Sequence, residues 1–215
     1  MSPASFAASY ALLFTAFAAA RGDRRVIAYL VVIAVLAAGV RAVHRRRVLS
    51  SGVLWALSVC GLLHMMGGLL PSPDPTAAVF YETWIVEGVL KYDQLTHFAV
   101  SAVVTVACWQ VAARWLDPDR GGPGIHALVA GAMAVAFGAL NEVFEFLSAL
   151  RFADAFVGGL DNVGWDLVFN LFGAMSAGVW LVLRPSPASQ RRGRPRTPRP
   201  SDARPRPGTA RAGTS

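Results

Sequence analysis

A chain that carries an apolar run of about twenty residues six times over has few ways to fold. A helical residue advances about 1.5 Å, so about 20 apolar residues cross the roughly 30 Å hydrocarbon core of a bilayer. Such runs lie at about 3–20, 26–43, 49–70, 92–115, 124–148 and 161–183. Within hydrocarbon the backbone must satisfy its own hydrogen bonds, so each run is expected to be a helix. The expected fold class is therefore all-α: an integral membrane bundle of about six transmembrane helices over residues 1–183. Only 15% of the chain is charged, against about a quarter in ordinary soluble domains, which argues against a soluble enzyme. The first run is short, but no Lys or Arg precedes it and Arg21, Arg24 and Arg25 follow it. It reads as a retained helix rather than a cleaved leader.

The net charge of +7 belongs to one end. Residues 184–215 hold nine Arg and one Asp, whereas residues 1–183 hold 11 basic and 12 acidic residues. With Arg-Pro steps at Arg194, Arg199, Arg204 and Arg206, the segment 184–215 has no means of burying a core, and a disordered basic tail is expected. No nucleic-acid module accompanies the charge, so the partners expected are membrane lipids and not nucleic acid. Positive charge also orients the spans. With the N-terminus inside, the cytoplasmic segments contain Arg41, Arg45, Arg46, Arg47, Arg114, Arg120 and the tail, 15 basic residues against five outside. Both termini are accordingly expected on the cytoplasmic side of a bacterial inner membrane. Cys60 and Cys108 each lie in an apolar run, which excludes a disulfide framework or a CxxC knuckle. Tyr81 and Trp84, in the loop 71–91, suit a headgroup region or an ordinary loop packed on the helix ends.

An ionisable group inside a span costs about 2.5–3.5 kcal/mol on insertion scales, so each such group needs a partner or a task. His64 lies in the third run, Asp93 and His97 in the fourth, Glu142 and Glu145 in the fifth, and Asp161, Asp166 and Asn170 in the sixth. In the orientation above, His64, His97, Glu142 and Asp166 all fall about 8–9 Å below the outer helix ends. Asp93, His97 and Ser101 share one helix face, Glu142 and Glu145 another, and Asp166 and Asn170 a third. Ala134 with Gly138, and Ala174 with Gly178, form small-residue pairs that are expected to pack the fifth and sixth helices beneath the polar level. The shape implied is an outward-facing polar pocket with a tight floor.

Three chemistries fit such a pocket. His97, Glu142 and Asp166 are candidate ligands for a divalent metal such as Zn, Mn or Fe. The same three residues suit general acid–base catalysis, with Asp93, Glu145, Asn170 and His64 as binding groups. A proton or cation relay is the third, although below the cluster only Ser101, Thr105 and Gln110 continue it. Against these stands a buried hydrogen-bonded network that only fixes the bundle, with Asp93 and Asp161 as helix caps, His64 a satisfied core histidine and Glu145 paired with Arg151.

Three segments carry a family resemblance. Lys91-Tyr92-Asp93-Gln94-Leu95-Thr96-His97-Phe98 resembles the D-x-x-x-H-F opening of VanZ-like bacterial membrane proteins. Ala139-Leu140-Asn141-Glu142-Val143-Phe144-Glu145-Phe146 is similar to the E-x-x-E helix of YjdF-like inner-membrane proteins. The stretch from Asp161 to Ala174 resembles the closing D-x-x-x-N-x-x-G-A of both, and Glu145, where VanZ-like chains tend toward Gln, favours the YjdF-like branch. The match covers about residues 91–178 and leaves His64 outside. It implies a multi-pass bacterial protein of undefined molecular activity; VanZ itself is associated with reduced sensitivity to a lipidated glycopeptide. The reading that follows is a pocket that binds, and in one version modifies, an envelope lipid or amphiphile headgroup. The alternatives are a structural or partner-binding protein and a transporter.

Overall fold

The computed structural model describes residues 1–115, 118–151 and 159–184, with residues Met1–Leu183 forming one compact unit. The basic tail, apart from Arg184, lies outside the described residues, as does the side chain of Arg151 proposed to pair with Glu145. Among the described residues six helices are long and apolar enough to cross a membrane: α1 (Pro3–Arg21), α2 (Arg25–His44), α3 (Ser51–Leu69), α4 (Tyr92–Ala112), α5 (Pro118–Arg151) and α6 (Gly159–Leu183). The architecture is the all-α membrane bundle expected from hydropathy.

Local chemistry sets the helix ends. The Ser2 hydroxyl accepts from the Ser5 N–H at 3.1 Å with Pro3 in the first turn, and α1 stops at Gly22, whose φ of +66° is a conformation glycine adopts without strain. Asp23 then accepts the Arg25 backbone N–H at 3.0 Å and pairs with its guanidinium at 2.7 Å, closing the α1–α2 hairpin. That bond holds the Asp23 carboxyl below its ordinary pKa. Ser50 caps α3 by accepting from the Val53 N–H at 3.3 Å and donates its own N–H to Gln110 on α4 at 2.7 Å. Within α5 the backbone leaves helical geometry at Gly122 (φ +62°, ψ 174°) and resumes after Pro123, a residue whose fixed φ suits a helical first turn. The apolar portion therefore starts at Gly122, close to where hydropathy places it.

Helix α4 packs against α3, α5 and α6, while α1 packs on α3 and α2 lies against both. Tyr10, Phe14, Ala18, Val26, Met65 and Leu69 form the apolar core among α1, α2 and α3. Between α5 and α6 the expected small residues meet: Ala130, Ala134, Ala174 and Ala177 are buried, and a Cβ on Gly178 would sit 4.0 Å from the Ala127 methyl. A closer approach than at Gly178, however, is between α4 and α6, where a Cβ on Gly173 would overlap the Phe98 carbonyl. Polarity is inverted relative to a water-soluble fold. Gln94, Thr96, His97, Ser101, Thr105, Glu142, Asp166 and Asn170 are buried, whereas Leu12, Ile27, Val31, Val35, Leu140, Phe172 and Val179 are exposed on the outside. That is the distribution demanded when the surrounding solvent is lipid.

The connection between α3 and α4 is structured. A 3-10 turn (Phe80–Glu82) precedes an antiparallel pair, β1 (Trp84–Val86) and β2 (Leu90–Lys91), in which Trp84 faces Lys91. The Phe80 N–H donates to Leu70 at 3.0 Å and the Tyr92 N–H to Thr83 at 2.9 Å, which fastens the loop to both helix ends. Of the two sequence-based readings of this loop, it therefore takes the packed one: Tyr81 turns inward rather than outward to a headgroup region. Asp74, at the loop's exposed start, accepts from the Thr76 N–H and hydroxyl at 2.8 and 2.7 Å, which lowers its pKa.

The packing at Gly173 yields a paired test. Gly173→Ala forces a methyl into the α4 backbone and is expected to destabilise the bundle by about 1–3 kcal/mol, whereas Gly178→Ala is expected to be nearly neutral. Thermal denaturation of the two variants in detergent, beside wild type, checks the difference.

Candidate functional site

One turn into α4, the Asp93–His97–Ser101 stripe faces the middle of the bundle. His97 is the hub. Its Nε2 lies 3.4 Å from Asp93 Oδ1 and 3.9 Å from Asp166 Oδ1, and its Nδ1 lies 3.6 Å from Glu142 Oε1. One imidazole from α4 thus has a pair of aspartates on one nitrogen and a glutamate from α5 on the other. His97 and Glu142 are only 5% and 4% exposed, and Asp166 is fully enclosed. Among the described residues, His97 is the only basic side chain in ion-pair range of these carboxyl groups.

Two asparagines set the carboxylates. Asn162, one turn before Asp166, donates its amide to Asp166 Oδ2 at 2.6 Å and to Asp93 Oδ2 at 3.1 Å. Both Oδ2 atoms are thereby occupied and both Oδ1 atoms turn toward His97. On the other side, Asn141 donates to Glu145 Oε1 at 2.7 Å. What these amides do not reach is conspicuous: both oxygens of Glu142, Oδ1 of Asp166, the Asn170 amide nitrogen and the Ser101 hydroxyl are buried without a hydrogen-bond partner among the described residues. Gly138 makes room for Asn170, since a Cβ there would stand 2.6 Å from the amide nitrogen.

Of the residues singled out from sequence, Asp93, His97, Glu142 and Asp166 meet directly, with Glu145 and Asn170 alongside. Asp93 is not a simple cap, because the backbone donor at the start of α4 is taken by Gln94, which accepts the Lys91 N–H at 2.9 Å. Asp161 is exposed and stands apart. The trio His97, Glu142 and Asp166, proposed together as metal ligands, is divided by the imidazole: Glu142 faces Nδ1 and Asp166 faces Nε2. The groups whose ligand atoms do converge are Asp93, His97 and Asp166, and separately His97, Glu142 and Glu145, each within 4.8 Å.

His64 stands beside the hub, its ring 6.5 Å from that of His97 and nearly perpendicular. Its Nδ1 is 2.5 Å from the Tyr81 hydroxyl, which also lies 3.1 Å from the His64 carbonyl. Both bonds form together when Nδ1–H donates to the phenol oxygen and the phenol donates to the carbonyl. Burial raises the Tyr81 pKa, so the phenol keeps its proton. Sequence reading missed Tyr81 as a partner, and with it Tyr29, whose hydroxyl lies beside it. Gly67 and Gly68 are the reason both fit, because a Cβ on the first would overlap the Tyr81 ring and one on the second the Tyr29 hydroxyl. The adjacent glycines at the C-terminal end of an apolar helix were the available signal. Asn162 was missed too, although its i, i+4 spacing to Asp166 was readable.

Six spans around a buried histidine–carboxylate cluster define a multi-pass membrane protein with its polar groups gathered at one end of the bundle. Residues 3–186 match the family described as Predicted membrane protein (DUF2238), and the chain belongs to that family. No curated protein and no solved structure matches it.

The Tyr81–His64 contact can be measured alone. Tyr81→Phe is expected to cost about 1–3 kcal/mol, because it strands a buried ring nitrogen. The double variant with His64→Leu should cost less than the two single changes together, and a double-mutant cycle of melting temperatures reads that coupling.

Proposed function

We propose that this protein lies in a bacterial cytoplasmic membrane with both termini cytoplasmic, and that the His97 cluster binds the headgroup of an envelope lipid or other amphiphile from the outer leaflet and performs acid–base chemistry on it. The observation that carries this reading is Glu142: a carboxylate 4% exposed, 3.6 Å from an imidazole on another helix, with neither oxygen hydrogen-bonded. A buried carboxylate without donors is costly to keep. A network serving only to fix the helices gains nothing from it, whereas a base awaiting a substrate proton needs free lone pairs beside a histidine that orients it. Asp93, Asn162 and Glu145 are only partly buried, which leaves an approach at the end where the helices meet the α3–α4 connection. In this scheme His97 and Glu142 exchange protons, Asp166 balances charge on the imidazole, and Asn170 donates to the ligand.

The resemblance of residues 91–98, 139–146 and 161–174 to VanZ-like and YjdF-like proteins supports the same location. A relay to the cytoplasm is less well supported. The Thr105 hydroxyl bonds back to the Ser101 carbonyl at 2.8 Å and the Gln110 side chain is held by Ser50, so neither continues a path. The structural-lock reading draws support from the Asn162 and Asn141 amide bonds.

Glu142→Gln separates the two main readings. In nanodiscs of phosphatidylethanolamine, phosphatidylglycerol and cardiolipin, wild type is expected to retain or convert one headgroup, read by mass spectrometry. The variant should lose that activity while melting at or above the wild-type temperature. A lowered melting temperature with an unchanged lipid profile would sink the headgroup site and leave the lock. Orientation is checked separately: six crossings return the chain to its starting face, so protease should reach Arg194 in inverted vesicles and not in spheroplasts.

A further inference from the structure

The cluster gathers three carboxyl groups within 4 Å of one histidine, and their arrangement is asymmetric. At Nε2 of His97 stand two carboxylate oxygens, Asp93 Oδ1 at 3.4 Å and Asp166 Oδ1 at 3.9 Å, from two different helices. Neither distance is a hydrogen bond of the charge-assisted kind, which closes to about 2.7–2.9 Å. One ring nitrogen also carries at most one proton, which cannot serve both oxygens. With metal–ligand bonds of about 2.0–2.2 Å, neighbouring ligand atoms sit about 3–3.5 Å apart; the Asp93 contact falls in that range, the Asp166 contact is somewhat wider, and all three ligand atoms lie within 4.8 Å of one another.

The second observation is the pattern of free and occupied atoms. Asn162 engages Oδ2 of both aspartates, and Asp166 Oδ1, on a side chain with no exposed surface, has no hydrogen-bond partner. One amide thereby turns two carboxylates so that their other oxygens converge on one imidazole nitrogen, the role that outer-shell groups play around metal ligands. On the far side of the ring, Nδ1 faces Glu142 Oε1 at 3.6 Å. An imidazole whose Nε2 is a ligand must carry its proton on Nδ1, and Glu142 Oε1, facing Nδ1 at more than hydrogen-bond distance, would accept it after a small closing movement. The sequence Glu142–His97–ion is the carboxylate–histidine–metal arrangement that fixes a tautomer and raises ligand basicity.

We propose that Asp93, His97 Nε2 and Asp166 hold one divalent first-row metal ion, with Asn162 and Glu142 as its outer shell. Two carboxylates and one imidazole are a hard-to-borderline donor set suited to Mn, Fe or Zn. The ion offsets the charge of the two aspartates and leaves coordination positions for water or an oxyanion on the partly exposed Asp93 side. This inference rests on the same site as the proposed function and names what that site contains. The two fail separately, because metal content and headgroup retention are independent readouts.

The test uses the full chain purified in detergent without chelator, reconstituted with Mn²⁺ and with Zn²⁺, metal being counted by mass spectrometry and Mn²⁺ binding followed by electron paramagnetic resonance. Wild type should hold about one ion per chain. Asp166→Asn and Asp93→Asn should lose it, and Asn162→Ala, which removes no ligand, should bind about 10–100-fold more weakly. Glu142→Gln should still bind, with a weakening in the same range. Near-ultraviolet circular dichroism establishes that each variant is folded. Folded wild type that takes up neither metal overturns the proposal. So does an ion that survives Asp166→Asn but is lost in Glu142→Gln, which would move it to the other nitrogen.

Discussion

The interaction on which the rest of this structure depends is the convergence of carboxylates on His97. Charge is expensive in a bundle surrounded by hydrocarbon, and a chain that keeps four acidic side chains at one level must bring them to a common partner. Asp93 reaches His97 from one turn earlier on the same helix, Asp166 from α6 and Glu142 from α5. This requires α4 to be central and α6 to approach it closely, which in turn requires a residue without a side chain at Gly173. The α1–α2 hairpin, by contrast, is held by apolar packing against α3 and contributes to the polar end mainly through Tyr29.

Most of the fold was legible because the bilayer makes a coarse demand that hydropathy answers. Span limits agree with the helices to within a few residues, and the small-residue pairs at Ala134 and Ala174 do pack α5 on α6. The level of the polar groups was legible for the same reason, since counting residues from a helix end gives depth at a fixed rise. Azimuth was harder. The stripe Asp93–His97–Ser101 was visible from spacing, but which side of the imidazole each partner occupies depends on how three helices are rotated about one another. Periodicity does not contain that information, so Glu142 and Asp166 were grouped as equivalent ligands although the ring separates them. The sequence leaves the loop 71–91 open at Tyr81 for a related reason: an aromatic residue near a helix end has both a headgroup and an interior to choose from. The pair Gly67–Gly68 decides the choice by leaving a recess.

Asparagine and glycine proved more informative than their bulk suggests. Asn162 satisfies one oxygen on each of Asp93 and Asp166, and Asn141 one on Glu145, so the amides select which carboxyl oxygens are left to other partners. Gly138 opposite Asn170, and Gly173 against Phe98, remove a methyl where a larger residue would push the amide or the helix away. Positions of this kind are silent in a hydropathy profile, where they count only as small and neutral.

The contact between Gly173 and the Phe98 carbonyl has a mechanical consequence. It lies immediately beyond His97 on one helix and three residues beyond Asn170 on the other. Helices α4 and α6 make the most extensive helix–helix contact among the described residues, so this close approach is one fixed point along a long seam. The Phe98 carbonyl acts as a stop that sets the separation of the two helices, and with it the gap across which Asp93 and Asp166 share the Asn162 amide.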